Sequence, residues 1–338
     1  MFNYTYNIMI AVKDILVDEA KYDIKFLQRM TDIGIECPTL GRELSFKIVG
    51  KNGVPVSTVA NVIRTGMNDT LNVLCLDVDT GVDVSKSNIT TNSPYVINQI
   101  FVNNVLRMIP IRQVANRRFH ISVKNDSDKY ALITSKDIKS SDKGDSKSSK
   151  DMFYQDYHIA KLPPHTFLDV QNIMTTDGFG YSDGIGHSYA LRIGYKCITL
   201  NEYELTTTPT TVIDPSQVVI QVCWMYVSML TAFKKVVDIA GDKYEYVDNV
   251  YSVSSDGNVV IYKINNCSQS VGAVIEEFGQ MIDSSPETWI TYNILHNTIN
   301  AIEIKVRHAD VKKYISHILS AVIDIFQHIS DTFALIAK

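Results

Sequence analysis

Paired cysteines are missing from this chain. Cys37, Cys75, Cys197, Cys223 and Cys267 are scattered, and none forms Cys-x-x-Cys. That spacing argues against a zinc site and for a reducing intracellular compartment. A cationic surplus is missing too. Lys plus Arg number 32 against 37 Asp plus Glu, a net charge of −5, which argues against wholesale wrapping of nucleic acid. Aromatic residues are not interleaved with Lys and Arg in any dense stretch, so no stacking platform for single strands is indicated. The amino terminus, Met1-Phe2-Asn3-Tyr4, has no basic region followed by an apolar run, so no secretory signal is read.

Long apolar runs are also scarce. The best, residues 218–233, is sixteen long, contains Gln221, Ser228 and Thr231, and ends at Lys234 and Lys235. A bilayer needs about 20 residues, so this run is expected to be a buried helix rather than a span. Asp214-Pro215 supplies its start, an oxygen acceptor at the cap followed by proline at the first helical position.

Catalytic motifs are absent in the same way. No Gly-x-Ser-x-Gly elbow and no Gly-x-x-x-x-Gly-Lys-Ser loop occurs. The glycines of 178–186 depart from Gly-x-Gly-x-x-Gly, and no apolar-faced helix opens after them, so a tight turn is expected there. Asp177 and Asp183 flank that turn, where aspartate bonds its own backbone. The eight histidines do not cluster with ligand spacing: His158 and His165 are seven apart on strands, His296 reads as a hydrogen-bonded structural residue, and His317 and His328 fall on the more polar side of the last helix. Glu276-Glu277 reads as a solvated helix face. No catalytic residue, metal ligand or cofactor is therefore expected.

Present instead is one pattern written twice. Residues 44–49 alternate as a strand; Lys51-Asn52-Gly53 turn; a helix opens at Ser57, its cap, with Val59, Val62 and Ile63 on one face; a strand follows at 71–76. Residues 259–264 alternate again; 265–268 turn; a helix carries Val271, Val274 and Ile275; a strand follows at 289–292. A unit present twice can pair with itself about a pseudo-twofold axis, which points to assembly rather than catalysis.

Around these copies, residues 1–43 read as an N-terminal extension with a short amphipathic helix at 21–30. A helix is expected from Ser93-Pro94 to Pro110, with Ile97, Ile100, Phe101, Val105 and Met108 inward. Residues 112–187 read as β-rich, with strands at 119–123, 130–133, 159–162 and 166–170. The apolar-free stretch 139–151 reads as a disordered loop. From Ala309 a long helix places Val311, Ile315, Ile318, Leu319, Val322, Phe326, Ile329 and Phe333 at three- and four-residue intervals. Each is worth ~1.5–3 kcal/mol when buried. The expected cover for this seam is the matching face of the first copy, including helices 57–67, 95–108 and 216–237.

The order of parts resembles the alpha-type assembly subunits of multisubunit DNA-dependent RNA polymerases. It is similar to a larger D-type and a smaller L-type subunit in series, as in nucleocytoplasmic large DNA viruses. Asn61-Val62-Ile63-Arg64-Thr65 resembles the D-type Asn-x-Leu-Arg-Arg helix, and Val105-Leu106-Arg107-Met108-Ile109-Pro110-Ile111 its Arg-Leu-Gly-Leu-Ile-Pro-Leu. Residues 133–138 are similar to Val-x-Ser-x-Asp-Leu, and residues 159–162 with 172–180 to Ile-x-x-Leu followed by an x-x-Gly-x-Gly turn. Residues 268–273 stand where the L-type has Asp-His-Thr-Leu-Gly-Asn, keeping Gly272; residues 292–298, from Tyr292 through His296, stand where it has Tyr-x-x-x-His-Pro-Leu. The cysteine set that binds zinc or an iron–sulfur cluster in some relatives is absent.

The resemblance implies an α+β fold of two dimerisation modules paired within one chain. The D-type module would be 44–111 with 188–238, interrupted by the inserted domain 112–187; the connection would be 239–250 and the L-type module 251–338. It implies a non-catalytic platform that holds two large catalytic subunits and small zinc-binding accessory subunits in a heteromultimer. DNA and RNA would be met only through the complex, without a membrane. The setting would be the virion and infected-cell cytoplasm, with the nucleus as the alternative. Contacts to the large subunits would fall on Asn61, Arg64, Arg107, Gly178, Gly180, Gly272, Tyr292 and His296. Two other readings stand beside it: a viral scaffold self-assembling through the repeated unit, and an enzyme whose site is built from distant residues.

Overall fold

The computed structural model describes residues 10–19, 21, 23–32, 41–51, 53–70, 72–78, 88–93, 97–109, 111, 118–140, 152–153, 156–179, 193–208, 214–240, 246–247, 250–265, 267, 269–296 and 299–336. The chain begins with β1 (Ile10–Glu19), α1 (Ile24–Asp32), β2 (Arg42–Gly50), α2 (Val56–Thr65) and a π-helical turn, Gly66–Thr70. Next come β3 (Asn72–Val78), β4 (Ile89–Thr91), α3 (Gln99–Arg107), β5 (Arg118–Asn125), β6 (Ala131–Thr134), β7 (Ile138–Ser140), β8 (His158–Leu162) and β9 (Thr166–Phe179). Then follow β10 (Ile193–Thr199), β11 (Glu202–Thr207), α4 (Pro215–Ile239), β12 (Tyr246–Val247), β13 (Tyr251–Asp256) and β14 (Val259–Asn265). The last elements are α5 (Gln269–Ile282), β15 (Trp289–His296), β16 (Ile299–Arg307) and α6 (Val311–Ile336). The class is mixed α+β, with antiparallel sheets. The chain divides into two compact units: Met1–Met67 with Ile193–Lys338, and Asn68–Arg192.

In the first unit, two sheets share one strand order. One runs β1-β2-β11-β10; the other runs β13-β14-β16-β15, with β12 added beside β13. Register recurs as well. Phe46, Lys47 and Ile48 of β2 lie opposite Leu205, Glu204 and Tyr203 of β11. Tyr262, Lys263 and Ile264 of β14 lie opposite Ile304, Glu303 and Ile302 of β16. In both, alternate residues are buried (Leu44, Phe46, Ile48; Val260, Tyr262, Ile264), the pattern of a sheet with one face on a core and one in water. Each sheet is followed by a long helix, α4 or α6.

Those helices pack on each other and reach across. Lys312 at the start of α6 donates to the carbonyl of Asp238 near the end of α4 (2.6 Å), while mid-helix Tyr226 meets Phe326 at 5.2 Å between ring centroids. The two helices therefore run in opposite senses. Phe333 of α6 packs edge-on against Phe46 of the first sheet, 5.0 Å and 83°. Phe233 of α4 packs edge-on against Tyr262 of the second sheet, 5.5 Å and 79°. Each sheet thus receives an aromatic side chain from the helix that follows the other one, through the edge-to-face geometry that aromatic quadrupoles favour.

The second unit has its own sheets and core. β9 pairs with β3 and β4 along one side and with β5 along the other; β5 pairs with β7, and β6 with β8. Leu76, Ile121, Ile133, Leu162, Leu168 and Ile173 centre its core. Asn125, 4% exposed, ties the turn after β5 to the end of β8 by donating to the carbonyls of Lys129 and Leu162.

Several expectations are corrected here. The strand expected at 71–76 to complete the first copy is β3, and it pairs with β9 in the second unit; β11 and β10 follow β2 in the first sheet instead. The insertion therefore spans 68–192 rather than 112–187, and 44–111 is not one domain. Residues 1–43 are more than an extension, since β1 pairs along β2 as an edge strand. Ser57 does not cap α2, which follows Pro55 without a side-chain cap. The third helix starts from the Asn98 cap, not from Ser93, and the shift turns Ile100 (70% exposed) and Phe101 (60%) outward, leaving Ile97, Val102 and Leu106 inside. That helix belongs to the second unit rather than to the module expected to hold it with helices 57–67 and 216–237.

The sixteen-residue length argument against a membrane span also fails. The helix is 25 residues long, and both α4 and α6 are long and apolar enough to cross a bilayer by composition. Half of each best window is buried against protein. Its expected start holds: Asp214 caps α4, accepting from Ser216 N at 2.9 Å, with Pro215 first in the helix. The loop expected at 139–151, beyond Ser140, and the glycine turn beyond Phe179 lie outside the described residues.

Candidate functional site

The broadest candidate is the seam between α4 and α6. Val311, Ile315, Ile318, Leu319, Val322, Phe326, Ile329 and Phe333 are all buried, none more than 7% exposed. Val218, Val219, Val222, Tyr226, Leu230 and Phe233 are buried on α4. The three- and four-residue spacing on both helices makes one apolar stripe each, and the stripes face each other. Val59, Val62 and Ile63 of α2 are fully buried too. They join the seam through α4, because the Tyr226 hydroxyl donates to the Val62 carbonyl at 3.3 Å.

A second candidate sits where α2 crosses β10. Asn61 Oδ1 accepts from Arg64 Nε (3.1 Å) and Nη2 (2.9 Å). This fixes the plane of the guanidinium, which lies 5.4 Å from the centroid of the Tyr195 ring, a cation–π contact. Tyr195, 46% exposed, stacks in turn on Tyr203 at 5.9 Å. The Tyr203 hydroxyl is shifted upward, first by its hydrogen bond with the Cys197 thiol. β10 is an edge strand, exposed from Gly194 to Thr199.

The remaining predicted contact residues divide. Gly272 and Tyr292 come together: a Cβ at Gly272 would lie 2.6 Å from Tyr292 Cδ2 and 3.0 Å from its Cβ. Only glycine lets α5 sit this low on β15. His296 closes β15 opposite Ile299. Arg107 lies in the second unit, its Nε 3.7 Å from Asp77 Oδ1. Gly178 is there as well, opposite Val73 in the β3–β9 ladder, and Gly180 lies outside the described residues.

Sequence reasoning missed two partners. Glu277, read as part of a solvated face, accepts a hydrogen bond from Thr58 and so links α5 to α2. Tyr195 carried no signal, because its value comes from Arg64, distant in sequence. Among the described residues, no group of three His, Cys, Asp or Glu side chains could hold a metal ion. No protein-family model matches the chain, and no curated protein matches it.

Proposed function

We propose that this chain is a non-catalytic assembly subunit of a DNA-directed RNA polymerase. It would act as two alpha-like modules paired within one polypeptide, holding the two large catalytic subunits and small zinc-binding accessory subunits in a heteromultimer in the virion and infected-cell cytoplasm. The observation that carries this reading is the recurrence of one strand order in two sheets, each receiving an aromatic side chain from the helix that follows the other. That is how two copies of a module pair, here with both copies on one chain. Fusion has a physical advantage: free association costs an estimated 4–15 kcal/mol in lost motion, whereas a tether leaves a loop-closure cost that grows slowly with length. On this reading Asn61, Arg64 and Tyr195 present a fixed guanidinium and an exposed ring to a large subunit, and Gly272 with Tyr292 marks the matching place in the second module.

The scaffold reading needs an apolar surface free for self-assembly, and the seam is used within the chain. Purification from infected cells separates the readings. A polymerase subunit travels with two very large chains and template-dependent RNA synthesis; a scaffold elutes as a homo-oligomer; an enzyme acts alone. Val322→Asp is expected to abolish incorporation, and Arg64→Ala to weaken it while leaving the fold intact. Unchanged co-purification of the Val322→Asp chain refutes the seam assignment. A mass-spectrometric inventory without the large chains refutes the polymerase reading.

A further inference from the structure

We propose that residues 68–192 are a thermodynamically autonomous insert, so that this unit melts by itself and a partner bound to it stabilises it alone. The first observation is the place it occupies. In the second half of the first unit, α5 leads to β15 through 283–288 only. In the first half, the corresponding step from α2 to β10 is made through the whole of Asn68–Arg192. The two halves still carry the same strand order and register, so the first half needs nothing from the insert beyond a connection. The second observation is the core. Every residue of the cluster from Leu76 through Ile173 comes from within 68–192, and it includes fully buried Leu76, Ile89, Leu106, Ile121, Ile133, Leu162, Leu168, Val170 and Ile173. A domain with its own core and its own sheets has what it needs to unfold as a cooperative unit. The inference does not depend on the polymerase reading.

Calorimetry of the full chain, followed by hydrogen exchange read peptide by peptide, is the test. Ile121→Ala empties part of the insert's core and is expected to lower one transition by roughly 10 °C, with the other unmoved. Phe233→Ala empties part of the α4 contact and is expected to do the reverse. Should Ile121→Ala not accumulate, Ile121→Val is expected to move the same transition by roughly 3 °C. Early exchange in Ile121→Ala should be confined to peptides from 68–192. One transition that moves as a whole in both variants, with exchange spreading through both units, overturns the proposal.

Discussion

Tyr226 and Phe326 hold equivalent places in α4 and α6, and their rings lie against each other, 5.2 Å apart and tilted by 30°. Each ring stands seven residues before the phenylalanine of its own helix that reaches a sheet. Phe333 reaches Phe46 and Phe233 reaches Tyr262. The fold of the first unit follows from this exchange of aromatic contacts.

Phe333→Ala and Phe233→Ala should each destabilise the first unit by about 3–5 kcal/mol, the usual cost of emptying a buried aromatic site. Urea unfolding followed by tryptophan fluorescence measures both. Because the two contacts are equivalent, their costs should agree to within about 1–2 kcal/mol, the spread that local relaxation produces. A cost below about 1 kcal/mol for Phe333→Ala would show that its seat on Phe46 contributes little.

Gly272→Ala should destabilise although alanine is the better helix former, by about 1 kcal/mol in an open helix. The added methyl meets the Cδ2, Cγ and Cβ atoms of Tyr292, the root of a side chain rather than its flexible end. A net loss of about 1–3 kcal/mol is expected from such overpacking. Tyr292→Ala in the same chain should turn the effect of Gly272→Ala to neutral or stabilising. A double-mutant cycle by chemical unfolding reads the coupling.

Acid should weaken the turn between α5 and β15. Asp283 is held below the ordinary aspartate value of 3.8, first by the Thr288 hydroxyl and then by the Ser285 backbone N–H. A carboxylate lowered in the folded state contributes stability that is complete above its unfolded value and disappears as pH falls through its folded value. The loss should therefore develop below about pH 4. Thr288→Val removes the largest cause, so it should destabilise at pH 7 and cost less near pH 2. Unfolding free energies at the two pH values check this; an equal cost at both would detach the effect from Asp283.

Alkylation should separate the cysteines. Cys197 is exposed, whereas Cys75, Cys223 and Cys267 are buried. Burial raises the Cys223 thiol strongly and pushes the Cys267 thiol up to about 12, so neither forms thiolate at neutral pH. Iodoacetamide at pH 8 should modify Cys197 in the native chain and reach Cys223 and Cys267 only after unfolding, as peptide mass spectrometry would record. Native labelling of Cys223 would mean that α4 leaves its seat.

The sequence was most legible where periodicity is long. The eight-residue stripe of α6 identifies its buried face, because a 26-residue helix repeats the signal over many turns. The Asp214-Pro215 start of α4 was legible for a local reason, since a cap is a contact between near neighbours. The first sheet was not. After α2 the next strand in sequence is β3, and adjacent strands usually pair, yet the insert carries β3 away and β10 and β11 complete the sheet from beyond it. β1 was hidden by its own irregularity: a register shift between Lys13 and Leu16, with Asp14 at φ 51°, breaks the alternation that would have revealed a strand. Of the candidate contact groups, Asn61 and Arg64 could be read together because they lie one helical turn apart. Their ring partner Tyr195 arrives only through tertiary packing.

The seat of Phe333 on Phe46 has a consequence for biosynthesis. A ribosome adding 5–20 residues per second needs roughly 5–20 s to go from the end of α4 to the end of α6. Throughout that interval the nascent polypeptide holds a greasy surface meant for a segment still untranslated. The last turns of α6 to leave the exit tunnel carry Ile329 and Phe333, which shut the interior, so a stop codon before Phe333 should leave the product to chaperones and proteases.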